Sequence, residues 1–170
     1  MDLQDWLGTW RLDPARTEIA FHSPTFWGLA HVNGVFAEVE GGAEAVAEGN
    51  VTGRLSIAAA SVSTGIGRRD NHLRSDDFFD VRRFPSIEVA VEAAEATGPS
   101  WVTLSVQLTV KGKQQDLELP THIRALPGGE VRLETTATLN RQHFGVSGNL
   151  FGMMGDAVNI EAAAVFVKQS

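Results

Sequence analysis

The amino-acid sequence predicts an all-β protein, an eight-stranded antiparallel barrel with a short helical lid around residues 66–80. Three observations lead to this prediction. Apolar and polar residues alternate through most of the chain, short turn signals separate the alternating runs, and one charged segment interrupts them. Alternation with period two indicates strands that bury one face and expose the other.

The clearest predicted strand runs from Trp101 to Val110, where each even-numbered residue is Val or Leu and the odd-numbered neighbours are mostly polar. The same rhythm occurs in shorter runs, at residues 55–57, 87–91, 117–123, 131–139 and 158–160. Two more strands are predicted at residues 17–27 and 29–40. Turns are predicted where glycine or proline separates the runs, at residues 41–42, 98–99, 111–113 and 127–129.

About eight sequential antiparallel strands are the number that closes into a barrel, whose interior is either packed or holds one small ligand. A sandwich of two sheets would produce the same alternation, so the pattern favours the barrel without excluding the sandwich. The chain has 170 residues, and we expect residues 1–170 to form one domain because domains of this size are common.

Charge and composition exclude several classes of protein. The chain has 14 basic and 21 acidic residues, a net charge of -7, and both halves are acidic. A protein that binds nucleic acid irrespective of sequence needs a cationic surface, so no nucleic-acid partner is predicted. With no cysteine, disulfides, thiolate metal sites and a cysteine nucleophile are excluded.

The sequence shows no signal peptide and no apolar run near the roughly 20 residues that a membrane helix needs. We therefore expect no integral membrane segment and a cytoplasmic protein; if a signal had been trimmed from the chain, the location would be periplasmic or secreted. The sequence leaves open whether the chain forms a homodimer.

The segment from Gly65 to Pro85 breaks the alternation and is densely charged. Asp70 and Arg74 stand four residues apart, the spacing at which an acidic residue supports a following basic one on a helix. Two adjacent phenylalanines, Phe78 and Phe79, follow this stretch. The pattern predicts a short helical excursion between two strands that acts as a plug or lid.

Several motifs, spread over nearly the whole chain, carry a family resemblance. They are Trp10-x-Leu12-Asp13-Pro14, Thr17-x-Ile19-x-Phe21, Val32-x-Gly34-x-Phe36, Ser61-x-x-Thr64-Gly65, Arg69-Asp70-x-His72-Leu73-Arg74-Ser75-x-Asp77-Phe78-Phe79-Asp80, Phe84-Pro85, Leu108-Thr109-Val110-Lys111-Gly112 and Arg141-x-x-Phe144-Gly145. In these motifs the chain resembles the YceI-like family of bacterial, lipocalin-like, polyisoprenoid-binding proteins. It departs from the family pattern at Arg16, in the Ser23–Thr25 region and at His143.

The resemblance implies an elongated apolar tunnel that binds, carries or sequesters a long-chain polyisoprenoid or a similar apolar amphiphile, without catalysis or a cofactor. Burial of each CH₂ group of such a ligand contributes about 0.8 kcal/mol. For any single residue of the candidate set, plain core packing is the simpler interpretation. The candidate tunnel residues are Phe21, Phe26, Trp27, Phe36, Phe78, Phe79, Phe144, Phe151, Met153 and Met154.

Three arginines in the matched motifs are candidates for holding the ligand's head group: Arg69, Arg74 and Arg141. An arginine fork matches phosphate geometry, so a prenyl diphosphate would suit them. The alternative is structural, with Arg69 and Asp70 pinning the lid to neighbouring strands. Acidic residues interleave with the arginines of this segment, which favours the structural interpretation.

Two other functions stay open. The first is an enzyme of isoprenoid or lipid metabolism that uses Asp70, His72 or His143 as an acid or base, although the chain has no nucleophile elbow and no phosphate-binding glycine loop. The second is a metal-binding stress protein. The five histidines form no short metal-binding motif, so no metal site is predicted from the sequence.

Overall fold

The computed structural model describes residues 2–25, 30–47, 50–148 and 155–170. In order along the chain its strands and helix are β1 (Gly8–Thr25), β2 (Ala30–Phe36), β3 (Val39–Ala47), β4 (Asn50–Ala58), β5 (Val62–Ser63), α1 (Gly67–Arg74), β6 (Ser86–Gly98), β7 (Trp101–Val110), β8 (Lys113–Leu126), β9 (Glu130–Asn140) and β10 (Ala157–Lys168). Short 3-10 turns occupy Leu3–Trp6, Ala59–Ser61 and Arg141–Phe144.

Eight of these strands form a closed antiparallel barrel in the order β1-β3-β4-β6-β7-β8-β9-β10. The ring closes where β10 pairs with β1, from Trp10 opposite Lys168 to His22 opposite Asn159. The strands β2 and β5 extend the sheet outside this ring, with β2 on β1 and β5 on β2. The predicted eight-stranded antiparallel barrel is therefore confirmed, and the sandwich is excluded.

The long strand β1 pairs with β10 along one edge, and with β3 and then β2 along the other edge. It changes register partway along its length. Its pairing with β10 shifts between Asp13 and Glu18. Before the shift β1 pairs with β3, and after it β1 pairs with β2. A bulge of this kind bends a strand and increases its twist. The bend separates β1 from β3 and allows its second half to pair with β2 near one end of the barrel.

The predicted turn at Gly41 and Gly42 is wrong, because both glycines lie within β3. A Cβ atom on Gly41 would collide with the carbonyl oxygen of Arg54 on β4, and one on Gly42 would lie 2.8 Å from the carbonyl oxygen of Trp10 on β1. In a strand interior, glycine often marks a close approach of neighbouring backbone. These two glycines therefore permit close strand packing.

The other predicted turns are confirmed: residues 98–99, 111–113 and 127–129 fall where β6, β7 and β8 meet the strands that follow them. Residues 17–25 of the strand predicted at residues 17–27 belong to the longer strand β1, which begins at Gly8; residues 26 and 27 lie outside the described residues. The predicted strand at residues 29–40 contains β2 and the start of β3, separated by Ala37 and Glu38.

Antiparallel pairing gives the barrel two distinct ends. At one, the hairpin end, lie the connections β3–β4, β6–β7 and β8–β9 and the start of β1. At the other, the lid end, lie α1, the β7–β8 hairpin and the Arg141–Phe144 turn. One buried apolar cluster includes Trp10, Leu12 and Phe166 from the hairpin end together with Leu73 and Phe78 from the lid end.

A short helix does occupy the predicted lid, and polar contacts hold α1 to Thr64, the residue that follows β5. The backbone N–H and the hydroxyl of Thr64 both donate to the Asp70 carboxylate. Arg69 donates in turn to the hydroxyl and carbonyl oxygens of Thr64. The Thr64 hydroxyl, aided by the Thr64 N–H and by the charges of Arg74 and Arg69, lowers the pKa of Asp70 against the opposing effect of burial.

Within the ranges that the structure describes, α1 and every other helical turn are too short to cross a membrane.

Candidate functional site

A cavity of about 300 Å³ lies inside the barrel and reaches from the hairpin end to the lid end. Pockets that hold small molecules typically begin near this volume. Its walls come from inward-facing residues of the barrel strands and β2, and from the lid. The strand residues of the wall follow the period-two alternation, as in β7 with Leu104, Val106, Leu108 and Val110.

Small inward-facing residues explain why an eight-stranded barrel keeps an internal cavity, since side chains can otherwise fill such a barrel. On β10 the inward positions include Ala162 and Ala164, and the facing walls contribute Ala43, Gly53 and Ala137. These positions bring little side-chain volume to the interior. The centre of the barrel therefore stays unfilled by side chains.

Five of the ten predicted tunnel residues line the cavity: Phe21, Phe36, Phe78, Phe79 and Phe144. Three of them form a chain of ring contacts, with Phe36 centred 5.7 Å from Phe21 and 5.6 Å, edge to face, from Phe79. These contacts join the wall of β1 and β2 to the lid. The other five, Phe26, Trp27, Phe151, Met153 and Met154, lie outside the described residues.

Arg141 is the only one of the three candidate head-group arginines that lines the described part of the cavity. Its side chain is 4% exposed. Nε donates to the carbonyl oxygen of Gly155, and Nη1 donates to those of Val146 and Gly148, at 2.6–2.9 Å. Burial lowers the pKa of Arg141, and the charge of Asp156 opposes this shift from a distance of 4.0 Å.

The other two arginines bind the backbone beside the lid and do not line the cavity. Arg69 donates to Thr64. Arg74 donates to the carbonyl oxygens of Ala60 and Val62 at 2.9 and 3.1 Å. These contacts have the form expected from the structural interpretation of the charged segment.

Four polar residues interrupt the otherwise apolar lining: Ser23, Thr121, Thr135 and Arg141. The hydroxyls of Thr121 and Thr135 donate to the carbonyl oxygens of Leu119 and Pro120, each at 2.9 Å. Among the described residues, Ser23 Oγ and Arg141 Nη2 are buried without a hydrogen-bond partner. Ser23 was missed by the sequence analysis, although it continues the inward series Ile19 and Phe21 on β1.

The residues considered for catalysis lie away from the cavity wall. Asp70 binds Thr64, and His72 Nε2 lies 2.9 Å from an Asp77 carboxylate oxygen. His143 is exposed in the turn that follows β9. Across residues 2–25, 30–47, 50–148 and 155–170, no three metal-ligating side chains come together.

Comparison with curated proteins identifies distant bacterial relatives. A UPF0312 protein of Pseudomonas putida strain GB-1 is 24% identical over 164 residues, which cover 87% of this chain and 82% of that protein. A UPF0312 protein of Pseudomonas savastanoi pv. phaseolicola is 26% identical over 132 residues, which cover 71% of this chain and 67% of that protein.

Solved structures show the same fold. Burkholderia cenocepacia BcnA matches with a TM-score of 0.82 at 19% identity, over 91% of this chain and 98% of that one. A polyisoprenoid binding domain from Saccharophagus degradans, implicated in plant cell wall breakdown, matches with a TM-score of 0.78 at 17% identity, over 94% and 98% of the two chains. The YceI-like domain model matches residues 10–166, and the chain therefore belongs to the YceI-like family.

Proposed function

We propose that this protein binds, carries or sequesters a long-chain polyisoprenoid or a similar apolar amphiphile in the cavity of its barrel. The observation that carries the proposal is the cavity itself, whose wall is aliphatic and aromatic from the hairpin end to the lid end apart from four polar residues. Burial of apolar surface against such a wall provides binding free energy in proportion to chain length. The polyisoprenoid binding domain of Saccharophagus degradans has the same fold, which supports this ligand class.

The dimensions of the cavity suit a ligand of several isoprene units. Along β10 the wall extends from Val158 to Phe166. That length corresponds to about 26 Å of strand and, for strands tilted by about 40°, to roughly 20 Å along the barrel axis. An extended chain advances about 1.2 Å per bond, so roughly four isoprene units fit fully extended. A longer chain has to fold back or leave the barrel.

The chemistry of the wall favours binding over catalysis. Among the described residues, the wall contains no carboxylate and no histidine, and Arg141 is its one ionisable side chain. General acid–base catalysis needs a titratable group within hydrogen-bond reach of the reacting atom. Asp70, His72 and His143 are outside the wall, so the enzyme alternative gains no support. Cytoplasmic location, transport and a homodimer stay predictions.

The proposal is tested by filling the cavity from one wall. Ala162 points inward on β10 and lines the cavity, whereas its neighbour Ala163 points to the opposite face of the sheet. We expect Ala162→Phe to fold and to lose most binding of an added prenol of four isoprene units, because the new ring occupies ligand space. Ala163→Phe should bind like the wild type. Native mass spectrometry and a displacement titration measure both.

Failure of the wild-type protein to retain or take up any prenol or similar apolar amphiphile would contradict the proposed function. Equal binding by Ala162→Phe and Ala163→Phe would show that the ligand lies elsewhere.

A further inference from the structure

At the hairpin end, the cavity stops at the side chain of Phe166. Phe166 points inward from β10, lines the cavity and is 4% exposed. The other phenylalanines that the structure describes in the wall are the five predicted tunnel residues, which lie in the lid-end segments or reach them through ring contacts. Phe166 is therefore the one described aromatic side chain of the wall at the opposite end.

Beyond Phe166 the interior of the barrel is packed with side chains. The strand partners of Phe166 are Leu12 on β1 and Val131 on β9, which are 2% and 6% exposed. Trp10, the preceding inward residue on β1, is 7% exposed, and its indole Nε1 donates to the Trp6 carbonyl oxygen at 2.9 Å. Leu12, Val131 and Trp10 are buried and do not line the cavity. The cavity is therefore closed at the hairpin end.

The closed end suits the hydrocarbon end of an amphiphile rather than its head group. Ser23 and Arg141 lie toward the lid end, where β1 ends and a turn follows β9. Thr121 and Thr135, the other polar residues of the described wall, already donate their hydroxyl protons to backbone carbonyl oxygens. A head group placed against Phe166 would be buried without a free donor, at a cost in binding free energy.

We propose that Phe166 is the stop that sets the chain length the protein prefers, with the last isoprene unit of the ligand packed against its ring. This inference rests on the proposed function, since it concerns the same cavity. Binding free energy grows with each isoprene unit that the cavity buries. The growth ends when the hydrocarbon end reaches Phe166, because further units find no space beyond it.

The spacing of inward residues on β10 matches the length of one isoprene unit. Ala164, the preceding inward residue, also lines the cavity. Two residues of strand span about 6.6 Å, which for a tilt of about 40° is roughly 5 Å along the barrel axis. The four bonds of an extended isoprene unit advance about the same distance. A ring moved from position 166 to position 164 therefore shortens the cavity by about one unit.

A series of linear prenols with two to six isoprene units tests the inference by displacement of a bound fluorescent lipid. For the wild type we expect the affinity to rise about tenfold or more with each unit up to a limiting length, and then to level off. Phe166→Ala should move the limiting length one unit longer, because Trp10, Leu12 and Val131 still close the space behind the lost ring. Ala164→Phe should move it one unit shorter.

Phe84→Ala is the matched control, because it removes the same ring from a side chain that lies against Gly112 and does not line the cavity. Its limiting length should equal that of the wild type. Circular dichroism establishes that each variant is folded. If Phe166→Ala does not fold, Phe166→Leu replaces it, and the ratio of affinities for the next longer prenol and the limiting prenol should still rise.

Three results would each overturn the assignment of Phe166 as the stop. They are a wild-type affinity that keeps rising through six units, one limiting length shared by the wild type and the variants at positions 164 and 166, and a shift in the same direction in both variants. Failure of the wild type to bind any prenol of the series would instead contradict the proposed function, so the two failures are distinguishable.

Discussion

At the residue scale, Asp70 shows how one carboxylate secures the lid. It accepts two hydrogen bonds from Thr64, the residue that follows β5. These bonds are made to the ionised carboxylate, whose pKa is lowered chiefly by the Thr64 hydroxyl. Protonation of Asp70 therefore weakens the attachment of α1 to the barrel.

This coupling predicts an acid-sensitive stability. The pKa of Asp70 is lower in the folded than in the unfolded chain, so in acid the unfolded state binds more protons and stability falls with decreasing pH. The contribution is complete above the ordinary value near 4 and disappears as pH falls through the lowered pKa.

Asp70→Asn should make the free energy of unfolding less dependent on pH in this window, as measured by urea unfolding between pH 2 and roughly 6. The pKa values of Asp13, Glu130 and Glu134 are lowered too, so a smaller acid dependence should persist. Asp116→Asn, at an exposed position on β8, is the control. A variant profile that parallels the wild type would contradict the assigned role of Asp70.

At the element scale, the β7–β8 hairpin joins the lid to the barrel. Lys111 Nζ donates to the carbonyl oxygens of Asp76, in the lid, and of Gly145, after β9, at 2.9 and 3.2 Å. Lys111 and Gly112 both have positive φ angles, 52° and 72°, as a type I′ hairpin turn requires. The two-residue turn therefore places the Lys111 ammonium group against two segments at the lid end.

Substitution of Gly112 separates backbone strain from packing. A Cβ atom there would lie 2.9 Å from the ring of Phe84, whereas Gly128, in the β8–β9 turn, has φ +82° and open space around it. We expect Gly112→Ala to destabilise the fold by about 1–3 kcal/mol, and Gly128→Ala to show only the smaller effect of the positive φ. Chemical denaturation measures both. Equal losses of stability in the two variants would show that the Phe84 ring moves aside at no cost in stability.

At the scale of the whole molecule, the closed ring depends on the last strand. The end of β10 pairs with the start of β1 from Asp13–Val165 to Trp10–Lys168. Val165 and Phe166 are 1% and 4% exposed. Closure thus satisfies the edge hydrogen bonds of both strands and completes the hairpin end of the cavity wall.

Deletion of residues 164–170 should therefore abolish cooperative thermal unfolding and ligand retention together, because it opens the ring and exposes the apolar wall. Deletion of residues 169–170, which leaves β10 intact, should preserve both. Circular dichroism melting and native mass spectrometry follow the two properties. A cooperative melt of the shorter chain would show that β10 is dispensable for closure.

The alternation of the sequence determined which segments are strands and which residues face inward. Leu104, Val106 and Leu108 line the cavity, as their period-two spacing predicts, because side-chain direction in a strand is a local property of the backbone. The dense charge of residues 65–85 interrupts the period-two alternation. The position of the lid could therefore also be predicted from the local sequence.

Only the tertiary structure decided how these segments meet. The sequence predicts a turn at Gly41 and Gly42, but the close approach of β1 and β4 shows that they lie within a strand. The Arg69 and Arg74 side chains donate to hydroxyl or carbonyl oxygens and do not line the cavity. Ser23 and Arg141 stand 118 positions apart in the sequence. Both lie at the lid end of the barrel, because Ser23 is near the end of β1, Arg141 directly follows β9, and β10 lies between these two strands. Strand pairing joins distant residues through backbone hydrogen bonds, which side-chain patterns along the chain do not specify.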